Sequence, residues 1–200
     1  MPETQLQLDL PGYRPRFDVL DPAFWRGCFN ARESSIHQLS PYVGKLKSGM
    51  VRALLLVYSK EGDTILDPFC GSGVVPYEAL LLNRHAIGND LNYYAYVLTM
   101  GKFTAPRTER EAVERASRYM RKAEQAKDKI DLNKVPDWVR QFFHHETLKE
   151  TLALFRILRK HNEYFFQACI LGILHHVRPG FLSYPASHLV PYLRPKMYPP

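Results

Sequence analysis

The sequence predicts a protein of the α/β class, and three neighbouring segments support that prediction. A short apolar segment, TILDPF at 64–69, is followed by the turn GSG at 71–73 and by a leucine-rich segment, VVPYEALLLN at 74–83. A second short apolar segment, HAIGNDL, occupies 85–91. Short apolar runs bounded by turn residues are typical of buried strands, and the leucine-rich segment is typical of a helix. Strand, helix and strand in this order form a βαβ unit, which implies a parallel sheet with a right-handed crossover.

Helices are predicted before the first strand, between the two strands and after the second strand. Ser48 is the expected N-cap of a helix over 49–59. Pro76 fits the helix over 74–83 only because it falls in the first turn of that helix. The segment NYYAYVLTMGKF predicts the next helix, over 92–103.

The chain divides into four regions by composition. Residues 1–33 contain several prolines and predict an irregular arm, whereas 34–103 contain a structured loop and the βαβ unit. Residues 104–181 lack a strand pattern and predict a helical insertion, and the proline-rich residues 182–200 predict an extended tail. The helices expected in the third region cover 109–131, 135–161 and 163–178.

Composition limits the class of protein. The chain has 200 residues, with 27 Lys and Arg against 20 Asp and Glu, a net charge of +7. This excess fits a partner rich in phosphate, but it is also common in proteins that never touch nucleic acid. The three cysteines form no CxxC pair, the N-terminus is too polar for a signal peptide, and the longest apolar stretch is too short to span a bilayer. We therefore expect a cytoplasmic protein.

The turn at 71–73 is a candidate ligand site. A glycine-rich turn between a parallel strand and a helix presents backbone N–H groups and the positive end of the helix dipole to an anion. Asp90 ends the second strand, 23 positions after Asp67. An acidic residue at about that distance can accept hydrogen bonds from the two hydroxyls of a ribose. The pattern indicates a ligand with a ribose and an anionic group.

Several readings of this turn compete. A dinucleotide site requires GxGxxG, and here Pro76 stands at the third glycine. A phosphate-binding P-loop requires Lys followed by Ser or Thr, and here Val74 and Val75 follow the last glycine. S-adenosylmethionine has a ribose and a carboxylate but no phosphate, and its ammonium would explain Asp67. A bare strand–turn–helix connection without a ligand is the remaining alternative.

The motif ILDPFCGSG, followed by a helix and by AIGNDLN, resembles the amino-group DNA methyltransferases, which modify adenine N6 or cytosine N4. Their cofactor motif reads DPF-x-GSG, and HQLSPYVGKL at 37–46 is similar to the segment that precedes it in that family. The resemblance covers about residues 36–103. It implies a Rossmann-like S-adenosylmethionine-dependent methyltransferase fold. Some RNA guanine-N2 methyltransferases also contain DPFCGSG, so an RNA substrate is the alternative.

The resemblance implies which residues would bind S-adenosyl-L-methionine. Residues of the motif would line the methionine and ribose side, Asp90 would hold the ribose hydroxyls, and Leu91 would pack on the adenine. Lys45 would lie near the cofactor carboxylate. The complete candidate set is Tyr42, Lys45, Asp67, Pro68, Phe69, Cys70, Gly71, Ser72, Gly73, Asp90 and Leu91.

The second motif of that family, [DNS]-PP-[YFW], does not occur in this sequence. In the family it accepts hydrogen bonds from the target amine and stacks an aromatic ring on the flipped base. The nearest strings, SYPA at 183–186 and LVPY at 189–192, have one proline each. We therefore expect no catalytic residue in this chain, and a truncated or split enzyme whose catalytic motif lies on further polypeptide or on a complementary chain. A non-catalytic subunit that binds cofactor or DNA is the alternative.

The helical region is a candidate DNA contact because residues 102–160 carry 15 Lys and Arg and 9 Asp and Glu, a net +6 of the chain's +7. Arg118, Lys122 and Lys129 are expected near one face of its first helix. A solvated helix face is the alternative. The pairs His144-His145 and His175-His176 do not predict a metal site, because neighbouring residues on a helix point about 100° apart.

Overall fold

The structure is a computed structural model that describes residues 22–26, 28, 33–140 and 143–174. Its first half contains α1 (Ser48–Tyr58), β1 (Thr64–Asp67), α2 (Val74–Leu81), β2 (His85–Gly88) and α3 (Tyr93–Phe103). Its second half contains α4 (Glu109–Ala126), α5 (Asp137–Arg140), α6 (His145–Lys160) and α7 (Tyr164–Ile173). Single 3₁₀ turns cover Pro22–Trp25, Ser35–Gln38, Lys127–Lys129 and Leu132–Lys134.

The two strands form a parallel pair, as the βαβ pattern predicts. Thr64 pairs with His85 and Asp67 with Gly88, so both strands end at the same edge of the sheet. This parallel unit confirms the α/β class, while the full Rossmann-like fold stays a prediction. Both strands are shorter than expected. Pro68 has no N–H to donate to a ladder, and the Asp67 carboxylate accepts the N–H of Phe69, which ends β1.

A small apolar core lies on one face of the sheet. Val51 and Leu55 of α1 pack with Val74 and Ala79 of α2, and Ile65 and Ala86 contact them from the two strands. The other face carries Leu66 and Ile87, which are neighbours in the strand register and remain 64% and 56% exposed. Packing between α1, α2 and the sheet therefore covers only one side of the strands.

The helical region is built on α7. Ala168 of α7 packs between Val97 and Leu98 of α3, which joins this region to the βαβ unit. Tyr119 of α4, Leu158 of α6 and Phe166 of α7 form a second cluster. Among the described residues of 104–174, no strand is present, as the sequence predicts.

Three expectations about helix ends differ from the structure. Ser48 is the first residue of α1 rather than its N-cap, because the carboxylate of Glu33 accepts the Ser48 backbone N–H at 3.3 Å. The helix expected over 109–131 ends at Ala126 and continues as a 3₁₀ turn. The region expected over 135–161 is divided into α5 and α6.

Some predictions fall outside the described residues. These are most of the arm over 1–33, the end of the helix beyond 174, the His175-His176 pair and the tail over 182–200. No helix in the described part of the chain has the length and apolar character needed to cross a membrane. Within the same residues, no group of three or more His, Cys, Asp or Glu is arranged to hold a metal ion.

Candidate cofactor site at the carboxyl ends of the strands

The chain makes a tight turn between β1 and α2. Gly71 and Gly73 have φ of +51° and +75°, in the left-handed region that favours glycine. Neighbouring side chains approach both glycines closely. A Cβ at Gly71 would lie 2.9 Å from Cε1 of Tyr42, and a Cβ at Gly73 would lie 2.6 Å from Oγ1 of Thr99. The GSG sequence therefore satisfies both the backbone conformation and the close packing of this turn.

Asp90 connects the end of β2 to this turn. Its Oδ2 accepts the backbone N–H of Gly71 at 2.9 Å, and its Oδ1 accepts the N–H of Asn92 at 2.8 Å. One backbone donor that the sequence suggested for an anionic ligand is thus already bonded to a carboxylate.

Asp67 and Asp90 bring two acidic groups to the same end of the sheet. Burial raises the pKa of Asp67, and the negative charge of Asp90 raises it further, although the N–H of Phe69 opposes both effects. The two carboxylates are therefore close enough to repel each other. This edge of the sheet is electrostatically suited to a ligand with positive charge and hydroxyl donors.

The segment that precedes α1 packs on the turn. The Tyr42 ring lies against Gly71 and stacks on Tyr94, with ring centroids 5.9 Å apart. The Tyr94 hydroxyl donates to the carbonyl of Pro41 at 2.5 Å and lies 2.7 Å from Oγ of Ser40. These bonds fix Tyr42 at the rim of the candidate site.

Lys45 is bonded within the same segment. Its Nζ donates to Oε2 of Glu33 at 3.1 Å and to the carbonyl of His37 at 2.9 Å. Lys45 and Tyr42 also line a cavity of about 770 Å³ between this segment and α7, whose other lining residues include Cys169 and Gly172. Lys45 thus lies near Tyr42, with its charge balanced by Glu33.

A buried polar network that the sequence analysis missed anchors this segment. His37 is 1% exposed, and its Nε2 lies 2.9 Å from Oε1 of Glu78 while its Nδ1 lies 3.0 Å from Nζ of Lys102. Arg52 donates to Oε2 of Glu78 through Nη2 at 2.8 Å and Nε at 3.1 Å. Because a Lys102 ammonium can only donate, Nδ1 of His37 accepts and its Nε2–H donates to Glu78. Glu78 and Lys102 each lie within an apolar helix segment, and that pattern could have signalled a buried pair.

The network shifts two pKa values in physically clear directions. Burial acts to raise the pKa of Glu78, but hydrogen bonds from His37 and Arg52 outweigh it and hold that pKa below its usual range. Burial lowers the pKa of Lys102 to about 8, and the positive charge of Lys45 acts in the same direction.

Comparison with known proteins finds a similarity for this part of the chain. Residues 21–100 match the model of the N6/N4 methyltransferase family, described as DNA methylase. This part of the chain is therefore similar to the amino-group DNA methyltransferases. The match covers the turn, both strands and the preceding segment that the motif resemblance singled out.

Two curated relatives agree with this family. The Type II methyltransferase M.EcaI of Enterobacter cloacae is 32% identical over 84 residues, which are 42% of this chain and 18% of that protein. The Type II methyltransferase M.HpaI of Haemophilus parainfluenzae is 38% identical over 52 residues, which are 26% of this chain and 17% of that protein. The chain thus spans less than a fifth of the curated relatives it matches. No solved structure matches it.

The remaining cofactor candidates lie on or next to the turn. Pro68 follows β1, and its carbonyl accepts Nδ2 of Asn89 at 3.1 Å. Phe69 is 87% exposed and Leu91 is fully exposed, so both present apolar surface beyond the strand ends. Cys70 and Ser72 are buried, and the Ser72 hydroxyl has no hydrogen-bond partner among the described residues. The structure therefore brings the candidates to one edge of the sheet, and their roles in binding stay predictions.

The three candidate nucleic-acid contacts do not share one helix face. Arg118 and Lys122 lie on α4 and extend over the Tyr119 ring, at 5.2 and 5.5 Å from its centroid. Lys129 lies in the 3₁₀ turn after α4 and lines a cavity between that turn and α6. The expectation of a common face was wrong because α4 ends at Ala126.

Proposed function

We propose that residues 33–103 bind S-adenosyl-L-methionine and serve an enzyme that methylates an exocyclic amine of DNA, adenine N6 or cytosine N4. The observation that carries this proposal is the pair of carboxylates beside the glycine turn. Asp67 and Asp90 lie at the carboxyl ends of paired strands, and the Asp90 carboxylate already accepts a hydrogen bond from the N–H of Gly71. The similarity of residues 21–100 to DNA methylases supports the same conclusion.

The charge of the site favours this cofactor over a dinucleotide. A pyrophosphate would approach two carboxylates and would find one backbone donor of the turn already bonded. S-adenosyl-L-methionine instead carries an ammonium, a positively charged sulfur and two ribose hydroxyls. A cationic ligand would relieve the repulsion that helps to raise the pKa of Asp67.

The residues present also fit the rest of the ligand. Each Asp90 oxygen accepts one backbone N–H and retains a lone pair for a ribose hydroxyl. Phe69 and Leu91 offer exposed apolar surface that suits the faces of an adenine ring. The unpartnered hydroxyl of Ser72 is a further polar group that a ligand could satisfy.

When bound, the cofactor would supply an electrophilic methyl group on its positively charged sulfur. The residues of this segment would bind and orient it, with Tyr42 held against the turn by its contact with Tyr94. The acceptors for the target amine are proposed to lie on other polypeptide, either a further segment or a complementary chain. The exposed sheet face at Leu66 and Ile87 supports this because an apolar pair on a sheet is usually covered.

The experiment that tests the proposal is calorimetric titration of the folded protein with S-adenosyl-L-methionine. We expect saturable binding and a weakening of about tenfold or more in Asp90→Asn, since a hydrogen bond to a charged group contributes about 1.5–3 kcal/mol. Asp128→Asn is the matched control because Asp128 lies exposed in the 3₁₀ turn after α4. The absence of heat with folded wild-type protein, or equal affinity in Asp90→Asn, would contradict the proposal.

Methyl transfer from a labelled cofactor tests the enzyme and its substrate. We expect transfer to duplex DNA when the protein is supplied with the polypeptide that carries the catalytic motif. Preferential transfer to RNA would favour the guanine-N2 alternative. Cofactor binding without transfer to either polymer would favour the non-catalytic subunit.

A further inference from the structure

A second cavity lies in the helical region, away from the glycine turn. It has a volume of about 760 Å³ and opens between the 3₁₀ turns that follow α4 and the C-terminal half of α6. Its charged lining residues are Lys129, Asp131, Lys134, Arg156, Arg159 and Lys160. Five of these side chains are cationic and one is acidic, so the cavity is strongly basic.

The five cations of the cavity have no carboxylate partner. Elsewhere in the helical region some cations have carboxylate partners, such as Arg110 with Glu114 and Lys149 with Glu146. Others, namely Arg107, Arg118, Arg121 and Lys122, form no ion pair with a described residue. None of the five cavity cations forms an ion pair with a described residue. The carboxylate of Asp131 accepts the N–H of Asn133 at 3.0 Å. Five cations without a carboxylate partner therefore line this one cavity.

The walls of the cavity strengthen its attraction for an anion. Ile130 is buried, and Leu152 and Phe155 are partly buried, so apolar groups lie beside the cations. Low-dielectric walls around charges of one sign focus the electric field into a cleft. A polyanion entering the cavity would meet a strong positive potential.

An aromatic surface connects the cavity to the candidate cofactor site. The guanidinium of Arg159 lies over the Tyr93 ring, 5.4 Å from its centroid. Tyr93 stacks with Tyr96 at a centroid distance of 6.0 Å, and both rings are nearly half exposed. Tyr93 is only three residues after Asp90, at the start of α3. Cations interleaved with exposed aromatic rings are typical of surfaces that follow a nucleic-acid strand.

We propose that this cavity binds the phosphate backbone of DNA and that the Tyr93–Tyr96 surface leads the strand toward the glycine turn. The proposal rests on the proposed function and assigns a binding surface to the DNA substrate. The proposed DNA contact is thus a cleft between α6 and the turns after α4, rather than the α4 face expected for Arg118 and Lys122. Arg159 joins the two parts because it lines the cavity and contacts Tyr93.

The test is a variant that removes four cavity charges, Lys129→Gln, Lys134→Gln, Arg156→Gln and Lys160→Gln. Arg159 is kept because it packs on Tyr93. The control variant removes four exposed charges outside the cavity, Lys60→Gln, Arg107→Gln, Arg110→Gln and Arg121→Gln. Both variants carry the same net charge, so a general loss of positive charge affects them equally.

The measurement is the Kd for a fluorescent 20-base-pair DNA by anisotropy, at several salt concentrations. We expect the cavity variant to bind DNA at least about tenfold more weakly than wild type. We also expect the slope of log K against log salt concentration to be shallower by about 3 to 4, since each lost phosphate contact contributes about 0.9. We expect the control to change by less than about threefold, since it lacks those contacts. Equal losses in the two variants, or no binding by wild type, would overturn the proposal.

Two further measurements distinguish DNA from a small phosphate ligand, and the cavity proposal from the cofactor proposal. Inorganic phosphate and a mononucleotide should compete with the DNA only at millimolar concentration, because they make one contact where the polymer makes several. Competition at micromolar concentration would assign the cavity to a small phosphate ligand and overturn the DNA assignment. The cavity variant should retain wild-type affinity for S-adenosyl-L-methionine. Parallel loss of cofactor binding would show that the substitutions disturb the whole fold and that this cavity is no separate DNA site.

Discussion

The carboxylate of Asp90 accepts the backbone N–H of Gly71 at 2.9 Å, so the residue after β2 holds the turn after β1. The two residues are 19 positions apart, and the parallel pairing of the strands brings them together. Asp90 is thus part of the structure of the turn before any ligand binds. Substitutions at this position should reveal the structural contribution separately from the proposed contact with ribose.

Asp90→Ala should destabilise the protein more than Asp90→Asn. Alanine leaves the N–H groups of Gly71 and Asn92 without an acceptor, whereas asparagine retains one side-chain oxygen for one of them. A hydrogen bond to a charged acceptor contributes about 1.5–3 kcal/mol, and the exposed N–H of Asn92 can bond water instead, so we expect Asp90→Ala to lower the free energy of unfolding by about 2–4 kcal/mol. Urea denaturation of both variants measures this difference. Equal stability of alanine and wild-type proteins would contradict the structural role of Asp90.

Gly73→Ala should be more damaging than the same change at Gly62. Both glycines have positive φ, +75° and +84°, and the left-handed conformation costs an alanine about 1–2 kcal/mol in either place. At Gly73 a Cβ would also lie 2.6 Å from Oγ1 of Thr99, whereas no atom lies within 4 Å of a Cβ at Gly62. We expect a loss of about 3 kcal/mol or more at Gly73 and about 1 kcal/mol at Gly62.

Calorimetric unfolding and cofactor titration check the glycine prediction together. Gly73→Ala should also weaken binding of S-adenosyl-L-methionine, because the turn must move to relieve the clash with Thr99. Gly62→Ala should bind the cofactor as wild type does. Similar melting temperatures for the two variants would show that the turn has room to relax.

Glu78→Gln should destabilise the protein strongly although it changes the shape of the side chain very little. Glu78 is 1% exposed and accepts three hydrogen bonds from His37 and Arg52. Removing one partner of a fully buried charged pair costs about 3–5 kcal/mol, but the Arg52 side chain is 52% exposed and water can solvate its charge, so we expect a loss of about 2–3 kcal/mol. Urea denaturation measures the loss, and Glu61→Gln is the control because Glu61 is exposed in a turn. A loss below about 1 kcal/mol would show that the network contributes little.

The sequence predicts the βαβ unit well because its signals are local. Apolar strand runs, the GSG turn and the leucine-rich segment each lie within a few neighbouring residues, and their combination requires a parallel pair. The GSG sequence likewise predicts the tight turn, because Gly71 and Gly73 adopt the positive φ that favours glycine.

Features that depend on contacts between residues far apart in the chain could not be predicted from local sequence. Glu33 caps α1 from 15 positions upstream, so Ser48 has no capping role. His37 meets Glu78 and Lys102 from 41 and 65 positions away. The basic cavity depends on the early end of α4, which turns Lys129 toward α6. Tertiary packing decides each of these.

Lys102 should make the protein more stable as the pH rises from about 8 toward 10. Burial lowers its pKa to about 8 in the folded protein, below the usual 10.5 of an exposed lysine. Between these values the unfolded chain binds more protons than the folded protein, so the free energy of unfolding increases with pH. The charged and titratable groups around Lys102 are Glu33, His37, Lys45, Cys70 and Glu78.

A Lys102→Met variant isolates this contribution from those other groups. Urea denaturation at pH 7.5 and 9.5 should show that wild type gains about 1–2 kcal/mol relative to the variant between the two pH values. The comparison is made within each pH, so titration of Cys70 or of exposed lysines contributes equally to both proteins. Parallel pH profiles for wild type and Lys102→Met would mean that Lys102 keeps an ordinary pKa. Such a result would place its ammonium in contact with water rather than inside the network with His37.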